Sequence, residues 1–527
     1  MSAAADPELE TSRSAKYRFD ELLTACETNP VGSDGKRPEG TLRLRDFNVS
    51  KTRLSGLDLR DVDLSEADLS GSDLQNADLS GANLKGALLE GTDLTGAILR
   101  GANLESAHGL KAWQFRDTDT SGTKLPEAIA EFKGIDSVGK IAPAVAKQFF
   151  VVLGTSLYCW LTIATTTDLS LILGSATQAL PIVQTPIPIV GFYYFGPFLL
   201  LVAFLYFQLN LQRMWEALAK LPAIFPDGRR LDERVYPWLL IQKVRAHFKR
   251  LRDSYTVVPW LENVLGSALA YGAVPLTLLA FWFRSLVKHS PALTAWQVFL
   301  LTISLLVALQ FHHYAVATLR GSPSGGGISA PSAKRISICL GAGALLVVAS
   351  QQLDSVLGPN LTNAEICIKP AGWVDGQSDL TAVKAARLAG VDLRNARMDN
   401  AFAAKADLDR AQLESSSLFE ADLRSASLGF AKLGSSDLIG ANLQGASLYK
   451  ADLAGANLAA SKLQGAILSG ANFDGANFSD AYLNGAKLNG ARLHNANLSV
   501  VFGLTAEQLK SAQIDNTTKL PPGLPRP

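Results

Sequence analysis

In residues 77–104, ADLSGANLKGALLEGTDLTGAILRGANL, a leucine returns at every fifth residue. Neither regular element accepts that period. On an α-helix five residues advance the chain by a full turn plus about 140°, so the leucines would wander round the cylinder. On a strand successive side chains alternate faces, and an odd period sends successive leucines to opposite sides. The pattern is consistent only if the chain turns a corner once per five residues, so that each pentapeptide forms one side of a polygonal coil. Every leucine can then point inward.

The phase is kept over long distances. From Leu44 to Leu104 there are 13 positions in register, 12 of them Leu and one Val49. A second array runs from Val383 to Leu498 with 24 positions, 19 of them Leu; Val383, Met398, Ala403, Phe473 and Phe478 are the exceptions. Two residues before these positions Ala occurs 19 times, the rest being Thr381, Val391, Ser416, Ser436 and Ser461. A small residue there lets the corner close, and the neighbouring Asp, Asn and Gly suit tight turns. Ala403 should leave a small void or kink, and Phe473 and Phe478 should overfill their coils.

The pattern A-(D/N)-L-x-x resembles the pentapeptide-repeat family over about 180 residues in two blocks. The resemblance implies a right-handed quadrilateral β-helix with four pentapeptides per coil. The second array would then make about six coils and the first about three, and at ~4.8 Å between backbones the second would be roughly 29 Å long. Solenoid ends need caps. Residues 109–126, GLKAWQFRDTDTSGTKLP, and 503–521, GLTAEQLKSAQIDNTTKLP, match at G-L, A-x-Q and T-K-L-P, with Phe115 opposite Leu509. Both read as C-terminal caps, and Thr505 and Gln508 have capping-box spacing. The chain therefore carries two separately terminated β-helices.

Between them lie five long apolar runs, residues 144–165, 190–210, 263–283, 295–318 and 336–353. Four have the length needed to cross a bilayer; the fifth is shorter and ends in polar residues. Tyr193, Tyr194, Trp260, Trp282 and Trp296 cluster near run ends, as in interfacial belts. The loop between the first two runs has no Lys or Arg, whereas residues 211–262 hold ten, among them Lys243, Lys249 and Arg250. The positive-inside rule puts that basic loop, and with it the first array, in the cytoplasm. Five spans put the second array on the opposite side; four would leave both arrays cytoplasmic. Five is the preferred reading, because Lys334 and Arg335 precede the last run and only Lys369 follows within thirty residues. The stretches YCWLTIATTTD (158–168), PIPIVGFYYFGPFLLL and LQRMWEALAKLPAIFPDGRRLDERVYPWLL are similar to the membrane region of bacterial pentapeptide-repeat membrane proteins. That resemblance implies an inner-membrane location and no activity.

The fold class expected is thus mixed: two quadrilateral β-helices flanking an α-helical transmembrane bundle. The domains are a polar segment with a short helix (1–40), the first β-helix with its cap (41–126), a linker (127–143), the membrane domain (144–353), a second linker (354–380) and the second β-helix with its cap (381–527). Net charge is −6 over residues 1–147, +7 over 148–357 and zero over 358–527, so no part has the basic excess of a nucleic-acid binder. The neutral second array also argues against DNA mimicry. Cys26, Cys159, Cys339 and Cys367 show no zinc or disulfide spacing, and the polar N-terminus is unlike a secretory signal.

Few residues invite a chemical role. Asp168 at the end of the first run could contact an ion or substrate, but an interfacial residue that reaches water or caps a turn is the simpler reading. His312 and His313 are adjacent and point to different helix faces, which is poor ligand spacing. His108 and His494 stand at repeat or cap positions without catalytic partners. No P-loop, GxSxG or HExxH occurs. Residues 236–252 mix apolar and basic residues at roughly helical spacing, as in a helix lying on the inner leaflet; a plain topology signal is the alternative. The expectation is a scaffold or interaction protein with no catalytic, cofactor-binding or metal site. Its partners are the lipid bilayer and an unidentified protein read by outward residues such as Arg424, Lys450, Lys462 and Lys487. A transporter or channel with accessory β-helices is the alternative, weakened by the scarcity of charge in the spans.

Overall fold

A computed structural model describes residues 44–130, 132, 134–173, 177–179, 186–235, 239–254, 257–321, 333–354, 356–374 and 376–526. The short helix expected within residues 1–40 lies outside them.

Each pentapeptide forms one side of a coil. Bridges join residues twenty apart in parallel, as in Asn48↔Asp68 and Ser427↔Ser447, so one coil takes four pentapeptides. The amide of each inward residue bonds to the coil that follows (Leu64 N–H to Asn83 O, 2.8 Å), and the residue before it bonds to the coil before (Asp68 N–H to Phe47 O, 2.9 Å). Backbone polar groups of the coils are thereby satisfied without a conventional sheet. The corners close through a second bond, from the small residue's N–H to the previous inward residue's carbonyl (Ala67 to Leu64, 3.2 Å). The third residue of that turn has positive φ in every repeat from Asp46 to Ser106 and from Gly390 to Asn495, as a type II turn requires. The Asp or Asn before the inward residue completes the corner. Its side-chain oxygen accepts the N–H two residues on, as in Asp73 to Gln75 (3.0 Å) and Asp437 to Ile439 (3.1 Å).

The inward leucines are buried throughout, and the residues two places before them are buried from Val62 to Ala102 and from Ala396 to Ala496. The irregular positions do less than their size suggests. Phe473 and Phe478 pack edge to face at 5.1 Å, and their amides keep normal inter-coil bonds of 2.8 and 2.9 Å. Ala403 likewise keeps its rung bond to Asp422 (2.9 Å), with Phe402 buried beside it under Trp373. The rung bonds run on unbroken at these positions.

Coils begin before residue 381. Asn360 pairs with Arg397 and Glu365 with Phe402, so part of the expected linker 354–380 already forms a coil. The residues between leave the coil as an excursion that returns through the antiparallel bridge Ile368↔Lys384.

The helices between the coils include α1 (Gly134–Thr165), α2 (Asp168–Leu173), α3 (Ile189–Leu218), α4 (Val257–Ser285), α5 (Pro291–Arg320) and α6 (Ala333–Asp354). α1 begins inside the expected linker 127–143. The helical stretches Glu127–Thr165, Ile189–Leu218, Val257–Lys288, Pro291–Arg320 and Ala333–Asp354 are long and apolar enough to cross a membrane. Their outward faces carry large exposed hydrophobics such as Phe150, Leu157, Phe195, Tyr206 and Leu345, which suit a lipid environment.

The chain divides into two compact units. One holds the first array with Leu200–Pro275 and Ser304–Ile336; the other holds the second array with Leu157–Leu199, Leu276–Ile303 and α6 from Ser337. In the second unit α6 packs along the α4–α5 hairpin. Leu346, Ala349 and Leu353 touch Trp282, Leu286 and Val298, and Trp282 Nε1 donates to Ser350 Oγ at 3.0 Å. At its end, Asp354 pairs with His289 of the α4–α5 turn (2.5 Å).

Candidate interaction surfaces

The end of each array is where helix-connecting segments meet the coils. Residues 109–126 do not finish the first β-helix. They form a further rung (Ile98↔Asp119, Asn103↔Lys124), and its edge is taken by residues after α3. Thr120 and Gly122 donate to the carbonyls of Ile224 and Pro226 (2.9 and 2.8 Å), and Ile224 N–H returns to Thr118 O (3.1 Å). Residues 223–231 then fold back as a hairpin, with Phe225 N–H on Arg229 O (2.9 Å). Phe115, Phe132 and Phe225 stack edge to face at 5.7 and 5.6 Å beneath it. The expected cap is therefore a coil, and the true closure comes from the basic loop.

That loop is also clamped farther on. Asp117 accepts the amides of Lys249 (2.7 Å) and Arg250 (3.1 Å), and Arg250 Nε donates to Gly96 O (3.1 Å). Burial pushes the Asp117 carboxyl up to about 6, against the opposing pull of those two amides and of Arg250 and Arg116. Residues 236–252 were expected as one surface helix. The described part is instead broken into Leu239–Ile241, Gln242–His247 and Lys249–Ser254, with Val244 and Phe248 fully buried.

In the second unit α2 closes the first coil of the second array. Ile172 belongs to the core of that array, with Leu169 and Leu173 packed against it. Asp168 orients the closure: it pairs with Arg284 at 2.5 Å and accepts the amide of Asn360 at 2.6 Å. Arg284 also donates to Thr166 O (2.7 Å) and Lys288 to Leu171 O (2.7 Å). The Asp168 carboxylate is thus tied on both oxygens to groups outside its own turn.

The far end of the second array closes on itself. Ala506–Leu509 is a helical turn whose capping box is formed, Thr505 N–H donating to Gln508 Oε1 (2.8 Å) and Gln508 N–H to Thr505 Oγ1 (3.3 Å). Gln508 Nε2 donates to the carbonyls of Leu483 and Ala486, both at 2.9 Å. Gln114 does the same for Leu89 and Thr92 at 2.7 and 2.8 Å. The repeated A-x-Q thus marks a shared device whose job the sequence signalled only as a match.

The outward residues fall into two groups. Lys462 and Lys487 are exposed on the side of the second array. Lys450 is exposed at a corner and lies 5.8 Å above the Phe430 ring and 5.3 Å above that of Tyr449. Arg424 is not outward: it is 7% exposed, paired with Asp422 at 2.5 Å, and bonded to the carbonyl of Gln377 in the excursion. Exposed aromatics continue at Phe419, Phe430, Tyr449, Tyr482 and Phe502, the last two stacked at 4.9 Å. His494 lies 3.6 Å from Asp474, and His312 packs edge-on against Tyr271 at 5.1 Å. Among the described residues no group of three or more His, Cys, Asp or Glu could hold a metal.

Comparison with known proteins bears on the coils. The family model for pentapeptide repeats matches in eight copies, over residues 43–76, 72–108, 386–424, 426–465, 451–490 and 461–499. No curated protein matches the chain. Among solved structures it is similar to alr5209, a pentapeptide repeat protein of Nostoc PCC 7120, at 34% identity over 21% of this chain and 84% of that one, with a TM-score of 0.13. It is similar to Rfr23 of the cyanobacterium Cyanothece 51142 at 28% identity over 26% and 90%, with a TM-score of 0.17. It is also similar to QnrB1, a plasmid-mediated fluoroquinolone resistance protein, at 19% over 25% and 78%, with a TM-score of 0.15. With eight repeat matches in two blocks, all on the coils described above, the chain belongs to the pentapeptide-repeat family, whose fold is the right-handed β-helix.

Proposed function

We propose that this is a multi-pass protein of the bacterial inner membrane that presents two β-helices as rigid, non-catalytic binding surfaces. The observation that carries the reading is the way segments joining the apolar helices are built into the coils. The hairpin 223–231 adds a strand to the last rung of the first array, and α2 seals the first coil of the second. A domain joined through backbone rungs and buried leucines is held, whereas a flexible linker would leave it free to tumble. Rigid anchoring suits a surface that displays side chains at fixed spacing.

The sidedness follows from charge. The ten Lys and Arg of residues 211–262 support a cytoplasmic position for that loop and for the first array bonded to it. The packing of α6 along the α4–α5 hairpin, ending at the His289–Asp354 pair, supports α6 as a fifth span. The second array is then extracytoplasmic, and its protein partner is read by the exposed face that includes Lys450, Lys462 and Lys487. Bilayer lipid is the other partner, and nucleic acid is not one.

The test is site-specific photo-crosslinking in native membranes with the full chain, the crosslinker standing at position 462 or 487. Discrete protein adducts from these positions, and none from buried Ala451, are expected. Adducts to lipid alone would overturn the scaffold reading.

A further inference from the structure

A cavity of about 270 Å³ opens between the first two turns of α5 and the last two of α6, within the second unit. Its lining changes character along the helices. Ser290, Thr294, Gln351 and Asp354 line it near the helix ends, and Val298 and Val347 line it deeper. Seven residues on each helix separate the two levels, roughly 10 Å at 1.5 Å per residue. The side chains of Ser290, Thr294 and Gln351 bond to no other described residue. Asp354 carries the charge. His289 Nδ1–H donates to one of its oxygens at 2.5 Å, and Arg394 reaches the other only at 3.4 Å. Arg394 stands closer to Asp392, at 2.6 Å, so one guanidinium serves two carboxylates. The His289 imidazole is enclosed and its Nε2 bonds to no described residue, which fits the neutral tautomer with its proton on Nδ1. The polar end of the cavity therefore keeps an excess of negative charge. The Asp354 side chain is 37% exposed, and a carboxylate has lone pairs for more than two partners.

A space with one negative, polar end and one apolar end takes an amphiphile with a cationic head. The polar end also says which cation. The Asp354 carboxylate, the Ser290 and Thr294 hydroxyls and the Gln351 amide oxygen are all hydrogen-bond acceptors. A primary ammonium brings three N–H donors to them, whereas a trimethylated one brings none. Depth in the membrane agrees. On five spans α5 begins and α6 ends at the face opposite the basic loop. Trp296, beside Ala295 of the lining, donates Nε1–H to Tyr194 O at 3.0 Å, as an interfacial aromatic does. The gradient from Asp354 to Val347 then runs along the bilayer normal, polar end at the headgroups and apolar end toward the hydrocarbon. Val347 is itself exposed, so the deep end is open to acyl chains.

We propose that this cavity is a binding site for a phospholipid with a primary-amine headgroup, phosphatidylethanolamine, in the extracytoplasmic leaflet. The ammonium lies on Asp354 and the neighbouring oxygens, and the start of an acyl chain lies along Val298 and Val347. The proposal rests on the membrane reading above and adds to it which lipid is held and where. It differs from general solvation by lipid in requiring donors on the headgroup nitrogen and an open cavity.

The experiment uses the full-length protein in nanodiscs of phosphatidylcholine mixed with phosphatidylethanolamine or phosphatidylglycerol, all with the same acyl chains. Lipid retained in native mass spectrometry is read for wild type, Ala295→Phe, Asp354→Asn and Leu345→Phe. Ala295→Phe fills the cavity, and Leu345→Phe adds bulk on the exposed face of α6 outside its lining. Wild type should retain phosphatidylethanolamine at least about tenfold over phosphatidylcholine, the worth of one charge-assisted hydrogen bond. Ala295→Phe and Asp354→Asn should lose that preference, and Leu345→Phe should keep it. Equal retention of the two lipids by wild type would overturn the proposal, and this comparison stands even if the variants do not fold. So would phosphatidylglycerol retained as well as phosphatidylethanolamine, or a preference that survives Ala295→Phe. A rise in thermal midpoint with free ethanolamine in phosphatidylcholine discs, without lipid preference, would overturn the lipid assignment in favour of a soluble amine. Failure of the membrane reading itself would show separately, as full-length protein extracted from membranes at alkaline pH without detergent.

Discussion

Gln114 and Gln508 occupy matching places in the two terminal turns, and each side-chain amide bonds two carbonyls, that of an inward leucine which also takes its corner N–H and that of the small residue three places on. Gln508→Ala strands the carbonyl of Ala486 and removes the second bond to that of Leu483, at a cost of about 1–3 kcal/mol. The loss should appear as a lower thermal midpoint and as faster amide exchange confined to the last coil. Unchanged exchange there would show that water replaces the amide freely. Asp117 makes a pH-dependent contribution. Its folded pKa, about 6, stands above the unfolded value, so its ionised form opposes folding. That penalty is complete above pH 6 and vanishes as pH falls toward about 4. Acidification should therefore raise the midpoint of wild type relative to Asp117→Asn, by no more than about 3 kcal/mol equivalent. A difference between the two that stays constant with pH would refute the assignment.

At the scale of elements, the hairpin 223–231 holds its place through main-chain bonds. Ile224→Pro deletes the amide that reaches Thr118 O and should expose the rung 118–122 to exchange, leaving the coils from Leu54 to Leu84 protected. Protection unchanged at 118–122 would mean the rung is closed by something else. The same element shows what a sequence conceals. The period of five dictates the coil, the small residue the corner, and Asp or Asn the turn, because each is a side-chain requirement repeated many times. The strand added by Ala223–Pro226 carries no side-chain pattern, since backbone pairs with backbone whatever the residues. Position 424 is outward by the phase of the repeat; the excursion that covers Arg424, through Gln377, lies outside that phase. Lys243 is buried among exposed and half-buried basic neighbours, a difference that charge composition does not carry.

At the scale of the whole molecule, the family supplies the coils, and the five apolar helices set this chain apart from a coil alone. Five crossings by those helices would set the two arrays on opposite faces of the membrane, which is tested by where the arrays can be reached. Cys367 is a poor reporter because it is fully buried, with Ala386 N–H on its sulfur at 3.3 Å. Cysteines introduced at exposed Lys85 and Lys487, in a chain without its native ones, report each array from its surface. Treated on intact cells with a membrane-impermeant maleimide, Lys487→Cys should label at once and Lys85→Cys only after permeabilisation. Labelling of Lys487→Cys only after permeabilisation would contradict the five-span account.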